Sequence, residues 1–214
     1  KTRDITLEEK NSIMSALGEG VEELSFNSIG PSVGAELARK SIISFILVVL
    51  GIIFWIAFSF RKVSKPVSSW KYGLIAIVSL LHDVIIPTGV LALLGYLFGF
   101  EIDTLFVVAI LTILGLSVSD TIVVFDRIRE NIRIGHFKTF EETVGQSLNQ
   151  VYTRSLATSF TVIIVLLALV FFGPESTKFF AIILTIGMFF GTYSSIFLAS
   201  PLLVFANNMQ NKKN

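Results

Sequence analysis

From Ile42 to Phe60 the chain runs through 19 residues without a charge, close to the ~20 that a helix rising ~1.5 Å per residue needs to cross ~30 Å of hydrocarbon. Such a segment reads as a membrane-spanning helix, and four more follow it. Tyr72 to Phe100 is apolar except around His82 and Asp83, with Pro87 able to kink the helix. Leu105 to Phe125 carries a single acid, Asp120. Ser155 to Phe172 and Phe179 to Ala206 carry no charge, and the last contains Gly187, Gly191, Ser194 and Ser195, small residues that let neighbouring helices approach closely. Spans are therefore expected at about 42–60, 72–98, 105–125, 155–172 and 179–206. Backbone polar groups in hydrocarbon must be satisfied within the segment, so the fold class is an all-α, polytopic transmembrane helix bundle over residues 39–206.

Composition agrees. Hydrophobic residues make up 53% of the 214, the mean hydropathy is +0.77 and there are 20 phenylalanines, too many for the core of a water-exposed globule this size. A formal net charge of +1 excludes a strongly basic nucleic-acid binder. Zero cysteines exclude disulfides, thiolate catalysis and sulfur-ligated metals. No metal site is expected.

Residues 1–38 are polar by comparison. Thr6 and Glu9 form a possible capping box for a short helix ending near Gly18. Val21 to Ile29 has the composition of a strand and meets a turn signal at Gly30-Pro31. One helix and one strand make no independent core, so this stretch is expected to be the C-terminal part of a larger extracytoplasmic α/β domain, and the chain a fragment or processed product. Residues 207–214 form a short tail.

The loops alternate in charge. Arg61, Lys62, Lys65 and Lys71 flank one connection with no acid between them; Arg127, Arg129 and Arg133 follow the third span, and Lys212-Lys213 the fifth. Glu101 and Asp103 lie on the opposite side, as do residues 1–38 with seven acids against three bases. By the positive-inside rule the N-terminal segment is expected outside the cytoplasm and the C-terminus inside.

A charge at mid-bilayer costs ~2.5–3.5 kcal/mol on insertion scales, so an acid inside a span needs a reason. Asp120 has polar neighbours at Ser117, Ser119 and Thr121; Ser117 shares its helical face and the other two flank it. A proton-carrying acid is one reading and a helix-packing hydrogen bond the other. Asp83 follows His82, whose imidazole titrates near neutral pH; it could carry protons, tie helices together or bond backbone freed by Pro87. Arg154 heads the fourth span, either as a snorkelling cation or as a partner reaching an intramembrane carboxylate. Asp126, Arg127, Arg129, Glu130 and Asn131 place two polar edges, Asp126/Glu130 and Arg127/Asn131, on one more turn of helix, and read on charge alone as a solvated connector.

In order along the chain, Gly30-Pro31-Ser32-Val33-Gly34-Ala35-Glu36-Leu37, His82-Asp83-Val84, Ser119-Asp120-Thr121-Ile122-Val123-Val124-Phe125-Asp126-Arg127-Ile128-Arg129-Glu130-Asn131, Thr153-Arg154-Ser155 with Thr158-Ser159, and Gly191-Thr192-Tyr193-Ser194-Ser195 closely resemble the SecF family. Ser119 stands where that family often has Asn, and Ser155 where it usually has Thr; both keep a hydrogen-bonding side chain. The resemblance implies a half of the resistance-nodulation-division type, with six spans and a small extracytoplasmic domain between the first two, of which this chain holds the last five spans and the domain's end. It implies partners SecD (separate or fused), the SecYEG translocon with SecA, YajC and a translocating polypeptide, in a bacterial or archaeal cell membrane. It implies protons as the coupling ion with no other cofactor and no enzymatic activity; Asp120 would carry the proton, facing an Asp of SecD, with Arg154 modulating it.

Rival classes fit the sequence less well. An intramembrane aspartyl protease would carry Gly-x-Gly-Asp, where this chain has Ser117-Val118-Ser119-Asp120, and a metalloprotease would need His-Glu-x-x-His, whereas only His82 and His136 are present. A small-molecule or lipid exporter of the same superfamily would be a much larger chain.

Overall fold

The computed structural model describes residues 7–18, 31–60, 67–98 and 104–211. The helices are α1 (Leu7–Leu17), α2 (Pro31–Ser59), α3 (Ser69–Phe98), α4 (Thr104–Ile134), α5 (Phe140–Phe172), α6 (Glu175–Ser194) and α7 (Ser200–Asn211), with a π-helical turn, Ser195–Ala199, joining the last two. The chain divides into two units, Lys1–Ser44 and Phe45–Asn214. In the first, α1 ends at Gly18, whose φ of 82° is the left-handed conformation that closes helices. Thr6 and the expected strand at 21–29 lie outside the described residues.

Five helices are long and apolar enough to cross a membrane: Ala38–Ser59, Ser69–Leu97, Leu105–Ile134, Phe140–Phe172 and Glu175–Gln210. In the second unit α6 packs against α3, α4 and α5, and α4 also touches α3 and α5. Gly187 and Gly191 permit this. A Cβ at Gly187 would fall 2.3 Å from Ile113 Cδ1, and one at Gly191 would fall 3.1 Å from Ser117 Cβ, so bare backbone is what lets α6 meet α4. Two apolar clusters result, one around Leu114, Val124 and Leu203, the other around Ile110, Ile113 and Leu184.

The helices overrun their apolar stretches. α4 continues past Phe125 to Ile134, and α5 begins at Phe140 rather than near Ser155. The cause is local chemistry. Ion pairs Arg129–Asp126 and Arg127–Glu130 staple the extra turns of α4. Thr139 caps α5 by accepting from the Glu142 N–H at 3.1 Å, and Glu142 in turn accepts from the Lys138 N–H. Near Ser195 the last span changes its winding. Pro201 has no N–H to offer the Phe197 carbonyl, and Ser200 sends its hydroxyl back to the Ser195 carbonyl at 3.2 Å.

Candidate functional site

Both acids lie among hydroxyls of neighbouring helices, yet their surroundings differ. Asp83, on α3, is fully buried. Its Oδ1 lies 2.9 Å from His82 Nδ1; its Oδ2 accepts from Ser117 of α4 and, at 2.7 Å, from Ser194 of α6. Pro87 lies inside α3 without interrupting it, and the Asp83 carboxylate bonds side chains of other helices rather than freed backbone. His82 is partly exposed and stacks on Tyr193, ring centroids 6.3 Å apart.

Asp120, on α4, is only half enclosed. Its Oδ1 accepts from Ser155 of α5 at 2.7 Å. Its Oδ2 is buried with no hydrogen-bond partner among the described residues. The Ser195 hydroxyl faces this carboxyl without completing a bond to Oδ2; it lies 2.9 Å from Thr121 Oγ1, which also donates to the Ser117 carbonyl at 3.2 Å. Asp83 and Asp120 share no hydrogen bond; each carboxyl is held by its own hydroxyls.

The polar flank expected around Asp120 is thus divided. Ser117 is buried but serves Asp83, Thr121 is buried and links to Ser195, and Ser119 is exposed. Arg154 is exposed and makes no ion pair with Asp120; Ser155, the next residue, supplies the bond. Ser194 and Ser195, expected to serve helix packing, bond to side chains at the two acids' surroundings.

The charged run at the end of α4 is more than a solvated connector. Asn131 is buried and donates to Ser147 and Gln150, each at 2.8 Å, and Arg127 Nε reaches Gln150 at 2.7 Å, zipping α4 to α5. Arg129 donates to the Ser59 carbonyl at the end of α2 and lies 5.2 Å from the centre of the Phe60 ring. Phe60 belongs to a three-ring cluster with Tyr72 and Phe125.

Sequence reading missed Ser155 as the Asp120 partner, Ser147 and Gln150 as partners of Asn131, and the bond from Thr192 to Ser159 at 2.6 Å. Among the hydroxyl residues at the head of this span, Ser155 and Ser159, four apart and so on one helical face, were the available signal.

A family model described as "Protein export membrane protein SecD/SecF, C-terminal" matches residues 9–209. The chain is 55% identical over 183 residues to "Protein translocase subunit SecF" of Thermobaculum terrenum, covering 86% of this chain and 57% of that protein. It is 36% identical over 219 residues to the protein of the same name from Synechocystis sp., covering 100% and 67%. Among solved structures, "Crystal structure of SecDF in Super-membrane-facing form" superposes with a TM-score of 0.75 at 30% identity, over 98% of this chain and 27% of that one. The chain spans a little over half the length of the first of these relatives. A multi-pass bundle matched along nearly its whole length in sequence, and again in structure, belongs to the SecD/SecF family of protein-export membrane proteins, on its SecF side.

Proposed function

We propose that this chain is the membrane-embedded part of a SecF-type translocase subunit that uses the proton-motive force, without enzymatic turnover, to assist proteins across a bacterial or archaeal cell membrane. The observation that carries the reading is the unpartnered Oδ2 of Asp120 in the middle of an apolar helix. A buried acceptor left unmade costs ~1–3 kcal/mol, and a carboxyl held that way is poised to gain and lose a proton. Asp83, whose two oxygens are both engaged, leaves no acceptor open in this way. Asp120 therefore takes the proton-carrying role, and the names of the relatives supply the process it serves.

On this reading the chain works against a SecD half, beside SecYEG and SecA, with YajC associated and a translocating polypeptide as cargo. Arg154, exposed next to Ser155, is free to act on Asp120 when the halves rearrange. The N-terminal segment lies outside the cytoplasm and the basic end of the bundle within it. Moving one charge through 100 mV supplies ~2.3 kcal/mol, the scale of a domain motion. Protons are the coupling ion and no other cofactor enters.

The test is gradient-dependent export of a secreted reporter into membrane vesicles carrying the full-length protein with Asp120→Asn, its assembly checked in parallel. Export is expected to fall to the level without the protein; unchanged export with intact assembly would remove Asp120 from the proton step.

A further inference from the structure

Ser194 and Ser195 are consecutive residues at the start of the π turn, and each has more acceptors in reach than protons to give. The Ser194 hydroxyl lies 2.7 Å from Asp83 Oδ2 and 3.0 Å from the Gly191 carbonyl. The Ser195 hydroxyl lies 3.0 Å from that same carbonyl and 2.9 Å from Thr121, and it faces Asp120. The Gly191 carbonyl has two lone pairs and already accepts the Ser195 backbone N–H. Two hydroxyls thus compete for one remaining site.

We propose that Ser194 and Ser195 form a hydroxyl switch through which a proton arriving on Asp83 favours release of one from Asp120. While Asp83 is charged it holds the Ser194 proton, because hydrogen bonds to a charged acceptor are the stronger ones. Ser195 then rests on Gly191, and Asp120 keeps only Ser155. When Asp83 binds a proton, Ser194 turns to the Gly191 carbonyl and displaces the Ser195 hydroxyl. That hydroxyl then has Thr121 Oγ1 and Asp120 Oδ2, the buried oxygen that lacks a donor, to choose between; a charged oxygen is the stronger acceptor, so the displaced proton favours the ionised Asp120 carboxylate. One proton is bound and one released; the hydroxyl protons only reorient. By linkage the effect is reciprocal.

The charged and titratable groups facing this pocket are few. α3 contributes Asp83 and His82, and α4 contributes Asp120. From α5 comes the Ser155 hydroxyl, with Arg154 exposed beside it; α6 and the π turn contribute hydroxyls and the Tyr193 ring on His82. Ser194 and Ser195 are positioning residues, acting through the two carboxyls. The inference deepens the proposed role of Asp120 and rests on its exchanging a proton.

The experiment is an infrared pH titration of the full-length protein with its complex partner in lipid, following the protonated-carboxyl band that disappears in Asp120→Asn. Asp83→Asn is expected to lower the midpoint of that band by about one pH unit, the size of one hydrogen bond to a charged group. Ser195→Ala is expected to erase the response and Ser195→Thr to restore it. Simple repulsion between two carboxylates gives the same direction but survives Ser195→Ala, so a shift that persists in Ser195→Ala overturns the switch, as does an Asp120 midpoint indifferent to Asp83→Asn. Should Asp83→Asn not assemble, the Asp83 band in Asp120→Asn reads the same coupling, with the same Ser195→Ala control. An export defect in Asp120→Asn with unlinked midpoints would remove the switch and leave the proposed function; linked midpoints with normal export would do the reverse.

Discussion

Ser155 donates to Asp120 Oδ1 at 2.7 Å across the α4–α5 seam and is the hydroxyl whose bond to that carboxyl is complete. Ser155 is itself buried, so nothing from bulk water replaces it readily. Ser155→Ala is expected to cost about 1 kcal/mol of stability and to slow gradient-driven export several-fold, while Ser155→Thr keeps both. Thermal unfolding in detergent and the vesicle export rate check the two parts. An alanine variant with unaltered export would separate Asp120's environment from its work.

Close approach of α4 and α6 leaves no room for a side chain at Gly187. Ile113 is buried and three of its carbons lie within 3.0 Å of a Cβ placed at Gly187, so Gly187→Ala must push two helices apart. Overpacking of this kind costs ~1–3 kcal/mol. Gly191→Ala meets Ser117 Cβ at 3.1 Å and should be milder in stability. Because Ser117 donates to Asp83, its effect on export should exceed its effect on unfolding. Comparing the two variants in both assays decides.

Arg129 joins the end of α4 to the end of α2 by a bond to the Ser59 carbonyl and by lying over the Phe60 ring. A guanidinium fits both tasks and an ammonium does not. Arg129→Lys is therefore expected to behave nearly as Arg129→Ala, each losing about 1–2 kcal/mol, with faster amide exchange in the last turn of α2. Full rescue by lysine would mean that charge alone matters there.

Pro201→Ala restores an N–H that can reach the Phe197 carbonyl, which favours α over π winding. One residue fewer in the turn rotates Ser194 and Ser195 by about 100° relative to α7 and takes them away from Asp83 and Thr121. Export should fall even though the helix gains a hydrogen bond and amide protection near residue 201 rises. Hydrogen exchange and the export assay together test this.

The spans and both acids are legible in the sequence for one reason: each is a contrast with its immediate neighbours, a charge in an apolar run or an apolar run between charges. What cannot be read that way is which acid is satisfied. Asp83 is held by Ser117 and Ser194, residues 34 and 111 positions away, and no local pattern reveals that Ser117 turns to Asp83 rather than to Asp120 on its own helix. The extension of α4 and α5 beyond the membrane lies between these cases. Thr139 and Glu142 carry a local capping signal, but the polar residues before Ser155 resemble a loop until Asn131 is seen to be buried against Ser147.

α4 has 31 residues and so measures about 46 Å, against ~30 Å of hydrocarbon. Its overhang is bolted to α5 through Asn131, Gln150 and Arg127, and the two helices are joined by only a short link after Ile134. From Asp120 to Ile134 is roughly 21 Å along the axis, so a tilt of about 10° at the acid sweeps the tip through about 4 Å. Length and bracing together mean that any tilt of this hairpin about the level of Asp120 would be carried, undamped, to its polar tip.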